Sequence, residues 1–171
     1  MLFVLVLLWT GARVSEVLSL TASSFQLESG FVSIRTLKRR KPFVREIPLP
    51  GWLVEAIERQ FLISQRQRTT RLCGKRLWTF TRWTGWRLIK QVMFMAGISG
   101  PRACPRGLRH GFGVGGAQAG IPVTLLQRWL GHARLATTAI YLDAPGRKNA
   151  KSLQDFGRNC RLFRRSANPS H

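Results

Sequence analysis

The chain opens on MLFVLVLLW, a run with no polar residue in it, and such a segment has to be hidden from water. It lacks both the basic residues that precede the apolar part of a signal peptide and the small-residue cleavage site that follows it. It is also too short to span a bilayer. The expectation is a buried helix, with any upstream part lost or never encoded. The rest of the chain has to supply the walls around it. With 44% hydrophobic and 20% charged residues in 171 positions, there is enough apolar material for one real core.

What the core does not explain is the charge. Twenty-eight Lys and Arg stand against seven Asp and Glu, a formal net charge of +21. An excess of that size repels itself in a compact state and makes sense beside a polyanion, with nucleic acid the default partner. Charge alone leaves ribosomal association and anionic membrane surfaces open as alternatives. Cys73, Cys104 and Cys160 are far apart, odd in number and without a CxxC spacing. They point to a reducing interior and away from a disulfide frame or zinc site.

Along the chain, TGARVSEVLSL reads as a turn at Gly11 and a short helix with Val14, Val17 and Leu18 on its apolar side. FVSIRTL alternates Val32 and Ile34 with Ser33 and Arg35, and VREIPL forms the next β-type run, so a small antiparallel sheet with a basic tip, KRRKP, is expected. GWLVEAIERQF is a helix and QRQRTTRLCGKR a basic loop. TRWTGWRLIKQVMFMAGI places Trp86, Ile89, Met93 and Ala96 at helical spacing. Trp78, Trp83 and Trp86 read as core or helix-packing residues rather than base-stacking platforms. Arg106 to Leu142 looks helical, broken at Gly120-Ile121-Pro122 and at Gly131. A further helix is expected from Asn149 to Phe163, before a frayed basic tail. The expected fold class is α+β, mostly helical with one small antiparallel sheet. The expected division is residues 1–148 as one domain and 149–171 as a C-terminal helix and tail.

Basic residues recur at Arg13, at Lys38, at Arg106 and Arg109 in PRGLRHGFG, and beside them His132. Chemistry at a phosphodiester needs this inventory, because negative charge grows on the phosphoryl oxygens and guanidinium forks match them. The chain's one tyrosine, Tyr141, follows His132 by nine residues. A phenol with an ordinary pKa of about 10 needs neighbouring positive charge or a base before it can attack near neutrality. Each residue taken singly has an ordinary explanation: Arg13 as a helix cap, KRRKP as a solvated turn, Arg109-His110 as a basic helix face, His132 as a cap, Tyr141 as a packing aromatic.

Taken in order, TGARVSEVLSL, IRTLKRRKPFVREIPLP and GLRHGFGVGGAQAGIPVTLLQRWLGHARLATTAIY resemble the three signature regions of the tyrosine recombinase, or phage integrase, catalytic domain. The match runs over roughly residues 3 to 145. The resemblance implies that Arg13 and Arg109 clamp the phosphate, with Glu16 a structural neighbour of Arg13. It implies Lys38 as the acid for the leaving 5′-oxygen, with Lys41 the alternative at the same tip. His132 becomes a hydrogen-bond donor to the phosphate, and Tyr141 the nucleophile that forms a 3′-phosphotyrosine. It implies no metal and no cofactor, double-stranded DNA as partner, a tetramer on DNA from a chain monomeric without it, no membrane, and a bacterial type of cytoplasmic location. His110 stays unassigned.

Two departures qualify the likeness. Where the family most often has histidine three residues before the second arginine, this chain has Arg106, which donates hydrogen bonds but is no base near neutral pH. There is also no room for the N-terminal domain that closes a clamp on DNA. A DNA-binding remnant that occupies sites without cutting, and a type IB topoisomerase-like relaxing activity, therefore stand beside the recombinase reading.

Overall fold

The computed structural model describes residues 1–37 and 43–141. The apolar opening forms helix α1, Leu2–Thr10, with Phe3 to Leu7 buried. Every face of it finds a neighbour. Phe3 meets Trp78 and Phe80 edge-on, at centroid distances of 5.6 and 5.0 Å, and burying one such side chain stabilises by roughly 1.5–3 kcal/mol. The helix stops at Gly11, whose left-handed φ of 58° lets its N–H reach the Leu7 carbonyl. No other residue fits there: a Cβ would stand 2.5 Å from the Phe112 ring.

Helix α2, Val14–Leu18, follows at once with Val14, Val17 and Leu18 buried, as their spacing predicts. A 3₁₀ turn at Ala22–Ser24 leads into the sheet, whose strands β1 (Phe25–Gln26), β2 (Phe31–Arg35) and β3 (Val44–Pro48) pair antiparallel in sequence order. The register sets Val32 opposite Ile47 and Ile34 opposite Arg45. Val32, Ile34 and Ile47 are buried by alternation. The same alternation turns Arg45 inward and leaves Val44 outside.

Helix α3, Gly51–Phe61, buries Leu53 and Ile57. The basic loop expected next is instead two short helices, α4 (Ile63–Arg68) and α5 (Thr70–Cys73). One anchor suffices to hold α4 down: Ile63 is fully buried, while the Gln67 side-chain amide donates to the carbonyls of Ala22 and Phe25 at 2.9 and 2.7 Å.

Helix α6, Arg82–Met95, is capped by the Thr81 hydroxyl and buries Ile89 and Met93 as predicted. Its inner face continues to Gly85, which lies against Phe3. That face corrects the expectation for two tryptophans. Trp86 is one residue off it, about 100° further round the helix. Trp86 and Trp83 are exposed and stack on each other at 5.0 Å, with the Lys90 ammonium 5.8 Å from the Trp86 ring. Only Trp78 of the three is a core residue.

Helices α7 (Pro105–Gln118), α8 (Val123–Leu130) and α9 (Ala136–Ala139) complete the described chain. Val114, Leu130 and Tyr141 form a second, small core with Phe112 and Ala117 packed on it. The protein is α+β, mostly helical with one three-stranded antiparallel sheet. The expected Asn149–Phe163 helix, the boundary after residue 148, Cys160 and the basic tip at 38–42 lie outside the described residues. Among those described, no helix is long and apolar enough to cross a membrane.

Candidate active site

The ends of several helices meet at one place, and Arg109 joins them. It sits one turn into α7, and its guanidinium donates through Nη1 to the Gly11 carbonyl at 2.8 Å and through Nη2 to the Leu130 carbonyl at 2.5 Å. These carbonyls lie at the C-terminal ends of α1 and α8, where the helix dipole is negative and a cation is favoured. Burial pushes the Arg109 pKa down to about 10, helped by the nearby charge of Arg13. The group remains cationic at neutral pH.

Arg13 begins α2. Its backbone N–H donates to Glu16 Oε2, and its Nη1 donates to Glu16 Oε1, both at 2.8 Å. The carboxylate thus caps the helix and holds the arginine side chain, which stays 29% exposed. Glu16 is fully buried and takes a second arginine, Arg45, whose Nη2 lies 2.6 Å from Oε2. Burial pushes the carboxyl pKa up, but the hydrogen bonds and charge of Arg45 and the hydrogen bonds of Arg13 outweigh it, so the net shift is downward and Glu16 is a carboxylate.

His132 follows Gly131, whose left-handed φ of 66° ends α8. Its Nδ1 is 2.9 Å from the hydroxyl of buried Thr138 on α9. Burial, then the charges of Arg109, Arg13 and Arg45, push its pKa down to about 4. It is a neutral imidazole at physiological pH, and where the Thr138 hydroxyl donates to Nδ1, the Nε2 carries the proton.

Tyr141 ends the described chain in this pocket, 6% exposed. Its ring meets His110 edge-on at 5.3 Å and lies nearly parallel to His132 at 6.3 Å. Burial raises its pKa, and Arg109 pulls it back in part.

The structure therefore brings Arg13, Glu16, Arg109, His132 and Tyr141 together. Arg106 is placed in the exposed first turn of α7, three residues before Arg109. Lys38 and its alternative Lys41 lie outside the described residues. The sequence reading missed Arg45, Thr36 and Thr138. One signal was present for Arg45: strand alternation sets it on the same face as Ile47, where a charge has no reason to be unless it has a partner. Among the described residues there is no group of three or more His, Cys, Asp or Glu that could hold a metal ion.

The model of the phage integrase family matches residues 1–146. Tyrosine recombinase XerA of Pyrococcus furiosus is 34% identical over 165 residues, covering 90% of this chain and 52% of its own length. Tyrosine recombinase XerD of Haemophilus ducreyi is 33% identical over 137 residues, covering 77% of this chain and 46% of its own. The chain thus spans about half the length of the curated relatives it matches. Among solved structures, the XerH site-specific recombinase bound to a palindromic difH substrate, in a post-cleavage complex, superposes with a TM-score of 0.68 at 25% identity, covering 83% of this chain and 41% of that one. The catalytic domain of bacteriophage HP1 integrase matches in fold, with a TM-score of 0.61 at 22% identity, over 99% of this chain and 84% of its own. With a family match over this span and an architecture shared with these enzymes, the chain belongs to the phage integrase family, and its described residues have the fold of a tyrosine recombinase catalytic domain.

Proposed function

We propose that this chain cuts and rejoins double-stranded DNA at specific sites by transesterification at phosphorus, with Tyr141 as the nucleophile. The observation that carries the reading is the position of the chain's one tyrosine, packed between His110 and His132 in the field of Arg109. The phenol gives its proton to water as its oxygen attacks the scissile phosphorus, forming a 3′-phosphotyrosine as the bond to the 5′-oxygen breaks. The departing 5′-oxygen takes a proton, in this reading from Lys38. Arg13 and Arg109 stabilise the charge on the phosphoryl oxygens through the N–H groups their protein partners leave over, and His132 donates one more hydrogen bond. Arg106, exposed one turn before Arg109 on α7, is in this reading a further hydrogen-bond donor and not a base. The step needs no metal and no cofactor. Relatives named as tyrosine recombinases, and a solved site-specific recombinase bound to a palindromic difH substrate, support the choice of substrate.

The test is covalent trapping. A pool of nicked duplexes with randomised recognition arms is incubated with the protein in EDTA and quenched in denaturant. A protein–DNA adduct is expected, and Tyr141→Phe should abolish it while changing DNA affinity by less than about twofold, since only one oxygen is removed. Tight DNA binding without an adduct would make the chain a site-occupying remnant. Relaxation of a supercoiled plasmid without strand exchange would favour the topoisomerase-like alternative.

The same reading makes the chain a monomer in free solution that becomes a tetramer on DNA. A charge of +21 per protomer opposes association until phosphates neutralise it. Light scattering with and without a two-site duplex decides, and a stable DNA-free tetramer would count against it.

A further inference from the structure

Arg45 and Glu16 are the two fully buried charges among the described residues, and the phosphate chemistry assigns Arg45 nothing. Its side chain is 0% exposed on the inner face of β3. One end of its fork, Nη2, holds Glu16; the other, Nη1, donates to the Thr36 hydroxyl at 2.5 Å. Thr36 closes the base of the connection between β2 and β3, its N–H donating to the Phe43 carbonyl at 2.8 Å. Arg45 also dictates the turn before His132: a Cβ on Gly131 would stand 2.9 Å from Arg45 Nη1 and 3.2 Å from the Thr36 hydroxyl. One buried guanidinium therefore touches the helix that begins with Arg13, the strands on either side of the basic tip, and the glycine that presents His132.

The arrangement is a poor way to gain stability alone. Its Nε is buried without a hydrogen-bond partner, which costs rather than helps. A buried ion pair is commonly replaceable by apolar residues of equal volume without loss of stability. Glu16, moreover, already has Arg13. What a second arginine adds is direction. Oε2 takes both the Arg13 N–H and Arg45 Nη2, and this second, charged donor from the β3 side keeps the carboxylate from turning about its own axis, with Oε1 aimed at the Arg13 fork.

We infer that Arg45 is a positioning residue for strand cleavage: it clamps Glu16 against Thr36 and thereby fixes the Arg13 guanidinium that meets the phosphate. A flat fork is required, because a lysine carries the same charge but cannot hold Glu16 and Thr36 from two ends at once.

The inference rests on the proposed cleavage reaction, and a double-mutant cycle tests it with the full chain and the nicked-duplex pool. Arg45→Lys is expected to slow adduct formation about tenfold at saturating DNA while leaving DNA affinity within about twofold. In an Arg13→Ala background the same change should have almost no further effect, because there is no fork left to aim. Equal losses in both backgrounds would show that Arg45 acts only on general stability and would overturn the inference, as would parental cleavage by Arg45→Lys. Should Arg45→Lys fail to fold, Thr36→Val frees one end of the fork and is expected to show the same dependence on Arg13, with additive losses again overturning it. A second readout does not depend on cleavage. Nitrogen NMR of the Arg13 guanidinium should show hindered rotation in the parental protein and fast rotation in Arg45→Lys; unchanged rotation overturns the inference. Absence of an adduct from the parental protein overturns the cleavage reading instead, and the NMR comparison still decides the role of Arg45.

Discussion

Tyr141 lies against Gly113 so closely that a Cβ on that glycine would stand 2.5 Å from the tyrosine Cε2 and 2.6 Å from its Cζ. The missing side chain on α7 is the seat of the phenol. Gly113→Ala should gain a little helix propensity and lose more to overpacking, about 1–3 kcal/mol. The larger effect expected is on adduct formation, which should fall by at least about tenfold as the ring is displaced. DNA affinity should stay near parental. Trapping, thermal unfolding and a binding isotherm on one preparation check this, and parental cleavage by Gly113→Ala would show that the seat does not set the nucleophile's position.

Arg109→Lys should be the most damaging conservative change in the site. Lysine keeps the charge but cannot donate to Gly11 and Leu130 and still offer a planar pair to phosphate. Cleavage is expected to fall by about 10²–10³, the loss typical of removing one preorganised donor. The melting temperature should drop as well, since two helix ends lose their cap. A Lys variant that cleaves at the parental rate would remove Arg109 from the charge-stabilising role.

His132 predicts a dependence of stability on acid. Its folded pKa, about 4, lies below the unfolded value of about 6.5, so the unfolded chain takes up the proton first as the pH falls. The stabilisation tied to the neutral ring is complete above about 6.5 and is lost progressively toward 4. His132→Gln should flatten this part of the curve. Chemical denaturation at several pH values measures it, and an identical slope in the two proteins would refute the assignment.

Binding to DNA should weaken steeply with salt. If the excess of +21 is spent on phosphates, log K should fall by about 0.9 for each contact per log unit of salt. A fluorescence titration in rising chloride gives the slope. A flat response, or equal affinity for anionic vesicles, would redirect the chain to another partner.

The parts of the protein that could be read in advance are those where one residue type repeats at one period. The apolar run of α1 up to Trp9 demands a buried helix, and the alternation of Val32 and Ile34 and the Ile89–Met93 spacing of α6 each determine a burial face by themselves. Helices α4 and α5 escaped because Ile63 is the single buried residue between them, and one anchor makes no period. Trp83 and Trp86 lie outside because the spacing of Ile89 and Met93 fits either Trp86 or Gly85 one turn earlier, and it is Gly85, against Phe3, that sets the inner face. In the site, Arg13, Arg109, His132 and Tyr141 were legible by order and spacing. Arg45 and Thr138, their buried partners, were not. What brings Thr36 to Arg45, or Thr138 to His132, is the closing of the fold, and local pattern carries little trace of it.

Arg109 caps the ends of α1 and α8 with the same guanidinium that faces the proposed chemistry. A lineage that stops cutting DNA but goes on binding it therefore cannot decay at random. Loss of Arg109 would loosen the scaffold together with the reaction, so selection for occupancy alone would preserve it. Tyr141, whose oxygen can be removed with its ring left on Gly113, is the position where such a lineage can fall silent and still fold. Under the proposed chemistry, losing that one oxygen ends the reaction with the scaffold intact, whereas losing Arg109 ends both.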